Sequence, residues 1–240
     1  MKSTNQLGLF FAAALLVSAC GAPSNTVETS EAQEVAAPEG KTLTLNTSAS
    51  NIGWRGYKPG GEHNGTIPAT QGSLTVADQQ ITGGAFTFDI TGLQIEDIPA
   101  EDENYGKLYG HLQSPDFFDA ANHPTATFEI TAVEPFQSGD AIADKEEFSS
   151  EHTPKHDSEL TPANPTHWVS GNLTMRGTTK NIKFPAAISV TDGAVSAKAG
   201  FNIDRTAWGL AYGDEAAAVD KAKDQFIYNT VSLVLDVNAN

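Results

Sequence analysis

Six histidines, one cysteine and a surplus of carboxylates are the side chains here that could do chemistry, so their spacing is the first question. The histidines are His63, His111, His123, His152, His156 and His167. A metal centre needs ligands gathered on one face, and only His152 and His156 fall four apart, with Thr153-Pro154 between them arguing against a helix. Ordinary hydrogen-bonded histidines explain the set, with transient capture of a metal by the acidic residues around His152 as the remaining alternative. The carboxylate pairs Asp97 with Glu101 and Asp102 with Glu103 lie in a polar run where solvation, not pKa tuning, is the usual state. No nucleophile elbow, phosphate loop or dinucleotide fingerprint is present. The chain therefore reads as a non-enzyme with no catalytic residues, no metal and no cofactor.

The 30 acidic residues outnumber 14 basic ones for a net charge of −16, which excludes an extended nucleic-acid surface and makes an anionic bilayer repulsive. Attachment to a membrane must then come from something other than a basic patch. Lys2 precedes the apolar run Leu7–Val17, too short to span a bilayer and right for a signal peptide. Val17-Ser18-Ala19-Cys20 resembles a bacterial lipobox, which makes residues 1–19 a cleaved lipoprotein signal and Cys20 the acylated first residue. The alternative is an ordinary signal peptide with a chance cysteine. Several acyl chains on one residue give lasting anchorage, and Gly21 after the cysteine leans, by analogy with lipoprotein sorting, toward the outer membrane facing the periplasm. With no second cysteine, disulfides are excluded. Residues 20–40, rich in Ala, Ser, Pro and unopposed Glu, read as a disordered acidic tether.

The elements that would position anything further are strands. Around His111–Ala132, Leu108 and Leu112 share a helix face, and Ser114-Pro115 reads as an N-cap with proline at the first helical position, so that one helix stops and a turn begins. From Thr125 the residues alternate strictly, with Ala126, Phe128, Ile130 and Ala132 on one face. Phe86, Phe88 and Ile90 do the same, with Gly83-Gly84 marking a bulge or bend. Lys58–Gly65 is loop chemistry. Residues 137–166, acidic and holding three prolines, read as a solvated excursion from a hairpin. Alternation returns in Val169–Met175, Ile182–Val190, Val195–Ile203 and Ile227–Val237, with turns at Arg176-Gly177 and Asp192-Gly193 and helix-forming composition at Ala216–Ala222. About eight one-sided strands joined by hairpin-length turns indicate an all-β antiparallel barrel with one or two short helices. A sandwich would show the same periodicity.

Three runs resemble the YceI-like family, the polyisoprenoid-binding, lipocalin-like proteins of the bacterial envelope: HLQSPDFFDAANHPTATFEI from His111, VSGNLTMRGTTKNIKFPAAI from Val169 to Ile188, and FNIDRTAWGLAYG from Phe201 to Gly213. The resemblance spans residues 41–240 and implies one eight-stranded lipocalin-like barrel whose lumen takes a long isoprenoid chain, as a prenyl diphosphate or an isoprenoid quinone. Trp54, Phe86, Phe88, Phe117, Phe118, Phe128, Phe184, Phe201 and Trp208 are the apolar residues such a lumen would use, although in most small domains aromatics on apolar faces are simply core. A 40-carbon tail at about 0.3 kcal/mol per heavy atom supplies roughly 12 kcal/mol, enough for retention without catalysis. A diphosphate would draw on Arg176, Lys180 and Arg205, with Lys183 nearby, whereas a quinone head needs no cation. Asp204 beside Arg205 could steer a head group or tie the last strands together. The expected partners are an isoprenoid lipid or quinone and, through the lipid anchor, the membrane; a homodimer is compatible with this reading. A structural or interaction barrel with a filled lumen is the main alternative, and an enzyme acting on a bound lipid the third.

Overall fold

In the computed structural model, residues 26–240 other than 138, 141, 143, 145 and 222–224 are described. In chain order the elements are β1 (Glu28–Glu31), β2 (Lys41–Thr44), β3 (Asn51–Lys58), β4 (Gly61–Ala77), β5 (Gln80–Asp89), β6 (Gln94–Ile95), α1 (Glu103–Gln113), β7 (Thr125–Pro135), α2 (Asp157–Leu160), β8 (His167–Met175), β9 (Thr178–Thr191), β10 (Ala194–Asp204) and β11 (Thr230–Ala239).

Two-residue turns set the register of the wall. Asp78 and Gln79 have φ of 50° and 61°, and Arg176 and Gly177 have 47° and 72°, so both hairpins turn with left-handed backbone at their two central residues, which matches the right-handed twist of the flanking strands. The wall runs β9-β10-β11-β3-β4-β5-β7-β8 and closes by pairing β8 with β9. It is the closed antiparallel eight-stranded barrel that the alternation suggested, with every wall strand paired on both sides along at least part of its length. β1 adds to β9, while β2 and β6 add to β4.

One end of the barrel carries α1 and the segment between β10 and β11. The Asp102 side chain caps α1 by accepting from the Asn104 N–H at 2.8 Å. Ser114 proves to be the residue that ends α1, not the start of another helix: its N–H and its hydroxyl both donate to the His111 carbonyl, and Pro115–Phe118 form turns. In β7 the strict alternation is interrupted, since the pairing with β8 shifts register between Ile130 and Ala132. The bulge leaves Ala132 exposed and brings Val133 inward instead. The Gly83-Gly84 irregularity is confirmed as a register shift opposite Thr75 and Val76.

Four further expectations change. The glycine-rich run after Lys58 is strand from Gly61 onward; β6 crosses so closely that a Cβ on Gly65 would collide with the Gln94 carbonyl. The Ala216–Ala222 composition gives only a 3₁₀ turn over Glu215–Ala217, capped by Asp214, and Ala222 lies outside the described residues. The acidic excursion is not merely solvated: the Phe148 ring meets Phe226 edge-on at 5.9 Å, and Asp157 is buried. The signal segment, Cys20 and residues 20–25 lie outside the described residues, but from Thr26 the supposed tether is a strap on the barrel. Val27 joins the core, β1 pairs with β9, Gln33 exchanges two backbone hydrogen bonds with the Asn172 side chain, and Glu39 accepts from Thr82 on β5.

Candidate functional site: the barrel lumen

Inward-facing side chains enclose an apolar cavity of about 100 Å³. Its aromatic lining is Phe86, Phe88, Phe128, Phe184 and Phe201, five of the nine residues expected there. They stand side by side along the wall: Phe184 stacks on Phe201 with centroids 4.2 Å apart, Phe128 lies 5.8 Å from Phe184, and Phe86 is 6.5 Å from Phe88. Aliphatic residues supply the rest, among them Ile130, Ile182, Leu233 and Leu235, with Ala186 and Ala199 creating the room. The alternation in β9, β10 and β11 marks these aliphatic positions as inward-facing, and nothing but residue size sets the aromatic ones apart from them.

The other four aromatics do different work. Trp208 is fully buried and donates its Nε1–H to the Leu173 carbonyl at 2.9 Å. Phe117 is buried beneath His111 and Tyr212, and Phe118 packs half-buried at the core's edge. These residues close the α1 end instead of lining the cavity. Trp54 shares the inward face of β3 with Ile52, and its Nε1 is buried without a hydrogen-bond partner among the described residues. At the opposite end Ile81, Val133, Ile188 and Val237 are half-buried, so the cavity thins toward solvent there.

The cations expected for a head group do not converge. Arg176 donates to the carbonyls of Gly209 at 2.5 Å and Pro115 at 2.6 Å, stapling the segment after α1 to the β10–β11 connection. Lys180 pairs with Glu31 at 2.7 Å and Lys183 with Glu134 at 2.9 Å. Arg205 is buried and donates to the carbonyls of Tyr228, Leu210 and Ile227, with Phe117 5.9 Å from its guanidinium. Burial lowers its pKa, while Asp214, Asp204 and Glu215 oppose that shift. Asp204 does not pair with it directly, capping the following 3₁₀ turn through Thr206 instead. Arg205 therefore ties the last strands together, the structural alternative for this pair.

The histidines scatter as well. His63 and His111 line a groove beside α1 with Asp97, Asp102 and Lys107, and His63 Nδ1 lies 2.7 Å from Asp97. Burial pushes the Asp97 carboxyl up, but the Asn64 N–H and the His63 ring outweigh it and hold it below the usual range. Among the described residues no group of three or more His, Cys, Asp or Glu is placed to hold a metal ion. Asp157 is a titratable group that the sequence does not mark. Burial pushes the Asp157 carboxyl up to about 7, with the Asn202 N–H opposing and Asp144 adding to the rise. Its neighbours in sequence are polar and prolyl, which gives no sign that it is buried.

The fold has counterparts among solved structures. Burkholderia cenocepacia BcnA is 14% identical, with a TM-score of 0.54 over 82% of this chain and 99% of that one. A polyisoprenoid binding domain from Saccharophagus degradans, implicated in plant cell wall breakdown, is 13% identical, with a TM-score of 0.52 over 82% and 97%. Identities this low establish a common fold and nothing finer. No curated protein sequence matches the chain. The YceI-like domain model matches residues 43–239, which span the whole barrel wall described above, and the chain belongs to the YceI-like family.

Proposed function

We propose that this protein is an envelope lipoprotein, anchored through Cys20 and directed by Gly21 to the outer membrane facing the periplasm, whose barrel binds a long polyisoprenoid or similar apolar lipid for storage, transport or protection. The observation that carries the reading is the lumen: a cavity lined by aromatic and aliphatic side chains in the middle of a closed wall. Apolar lining without a constellation of reactive groups suits a binder and not a catalyst. The polyisoprenoid binding domain of similar fold supports the same ligand class.

The head group is read as neutral and quinone-like. Arg176, Lys180 and Arg205 are each engaged by protein partners, so a diphosphate would have to break those contacts. The buried N–H of Trp54 suits a carbonyl oxygen. A specific observation also favours the rival reading, a structural barrel with a filled lumen: about 100 Å³ is below the range of roughly 300–1,000 Å³ usual for pre-formed ligand pockets. Carrying a long chain therefore requires the lining rings and the wall to give way. Native mass spectrometry after detergent-free purification tests the choice. Co-purified lipid of prenyl mass supports the carrier; a ligand-free protein that also refuses added isoprenoid quinone refutes it in favour of the filled barrel.

A further inference from the structure

The barrel wall is not continuous. β9 and β10 pair only from Ala194–Thr191 to Ala199–Ala186, after which β10 follows β11 and leaves β9. Above that point each edge is satisfied from outside. On β9, residues Lys180–Lys183 pair with β1. On β10, the Asn202 carbonyl accepts from the Val27 N–H at 2.9 Å and the Asn202 N–H donates to Asp157 Oδ1 at 2.5 Å. Gly200 admits the Leu160 carbonyl of α2 where a Cβ would collide. Immediately inside, the stacked rings of Phe184 and Phe201 span the same joint. A second interruption exists, since β5 and β7 pair only over Ala85–Asp89, and the strap crosses near it through Glu39 and Thr82.

We propose that the β9–β10 joint is a lateral gate, held shut by the N-terminal strap and α2, through which an apolar chain enters and the lumen widens. Three observations carry this. The lumen at rest is small, and a wall held by continuous main-chain pairing cannot expand, whereas this joint can. The latch is peripheral and mostly polar: all four β1 residues are exposed, and the strap is held by backbone pairing, the Glu31–Lys180 ion pair, the hydrogen bonds of Gln33 with Asn172 and of Glu39 with Thr82, and the burial of Val27 alone. The third rests on the lipoprotein reading. Val27 follows Cys20 by seven residues, which span at most about 25 Å, so an acylated Cys20 keeps this joint near the bilayer that supplies the chain.

The test places a disulfide across the latch. Glu31 and Lys180 are opposite one another in the β1–β9 pairing, a relation that suits a cross-strand bridge. In a Cys20→Ser background, Glu31→Cys with Lys180→Cys is followed by stopped-flow tryptophan fluorescence on mixing with geranylgeraniol. Uptake in the oxidised protein is expected to slow by about tenfold or more and to reach a lower final occupancy, with both restored by reducing the same sample. Hydrogen exchange of the Cys20→Ser protein is expected to show the Val27 and β1 amides opening well ahead of those in β3 and β11. Equal uptake rates in oxidised and reduced protein refute the gate and leave the carrier reading standing, with entry at the half-open end. Failure of both forms to bind the probe refutes the carrier reading and the gate with it.

Discussion

Replacing Asp157 with asparagine is expected to stabilise the protein above neutral pH and to change little near pH 4. The Asp157 carboxyl is 4% exposed, and burial raises its pKa from 3.8 to about 7. A raised carboxylate pKa means that the folded state binds the proton more tightly than the unfolded chain. Stability from this group is therefore complete below 3.8 and is lost as pH rises through the window up to about 7. At about 1.36 kcal/mol per pH unit, the full loss is roughly 4 kcal/mol, an upper figure because local opening of α2 can relieve the charge. Asparagine keeps an oxygen to accept the Asn202 N–H and carries no charge. Asp144 supplies part of the rise, so its repulsion disappears with the charge and belongs to the expected difference, whereas Glu28, Asp140 and Lys183, which share the adjoining cleft, are not among the causes of the shift and are common to both proteins. His167, whose pKa burial lowers, acts with the opposite sign, since its neutral form gains stability as pH rises, and it cancels likewise. Urea denaturation of both proteins from about pH 4 to pH 8 measures the difference, with equal m-values required at each pH. Curves that run parallel across the window, or a variant less stable at pH 8, would refute the reasoning, because the carboxylate would then be tolerated or favoured as the anion.

Arg205→Lys is expected to cost roughly 3 kcal/mol in denaturant unfolding, because an ammonium cannot satisfy the several carbonyls that the guanidinium fork reaches; a change within error would mean that water replaces those bonds. Lys180→Gln with Lys183→Gln is expected to leave isoprenoid quinone affinity unchanged in titrations at low and high salt, since both amines pair with Glu31 and Glu134; a salt-dependent loss would restore a cationic head-group site. Cys20→Ser is expected to move the protein from the membrane fraction to the soluble periplasmic fraction, and retention in the membrane would argue for another means of attachment.

What could be read in advance follows from how each element is stabilised. β9 and β10 bury one face, so Ile182, Phe184, Ala186 and Ile188 repeat at the strand period and identify themselves as lining. The hairpins at Arg176-Gly177 and Asp192-Gly193 are marked by their glycines, which sit in left-handed backbone at φ 72° and 88°. The strand Glu28-Thr29-Ser30-Glu31 leaves no such trace, because all four side chains are exposed and its pairing comes from a β9 edge that β10 has left. The same limit applies to the site. Apolar character alone cannot separate Phe201, which lines the cavity, from Trp208, which closes the end, since both are buried and only the path of the β10–β11 connection distinguishes them. Arg176 and Arg205 read as available for a ligand in the sequence because their partners are backbone carbonyls, some of them far away along the chain, where side-chain types give no hint.

Whether the lumen takes a chain is tested most directly by filling it. Ala186 and Ala199 make the room between the aromatic rings, and Ala186→Trp would occupy it, with about 1–3 kcal/mol lost to overpacking. Titration of geranylgeraniol into the Cys20→Ser protein, with and without this substitution, is expected to give one saturable site per barrel in the first and none in the second while circular dichroism shows the fold retained. Equal binding in both, or no binding in either, would contradict an isoprenoid site inside the barrel.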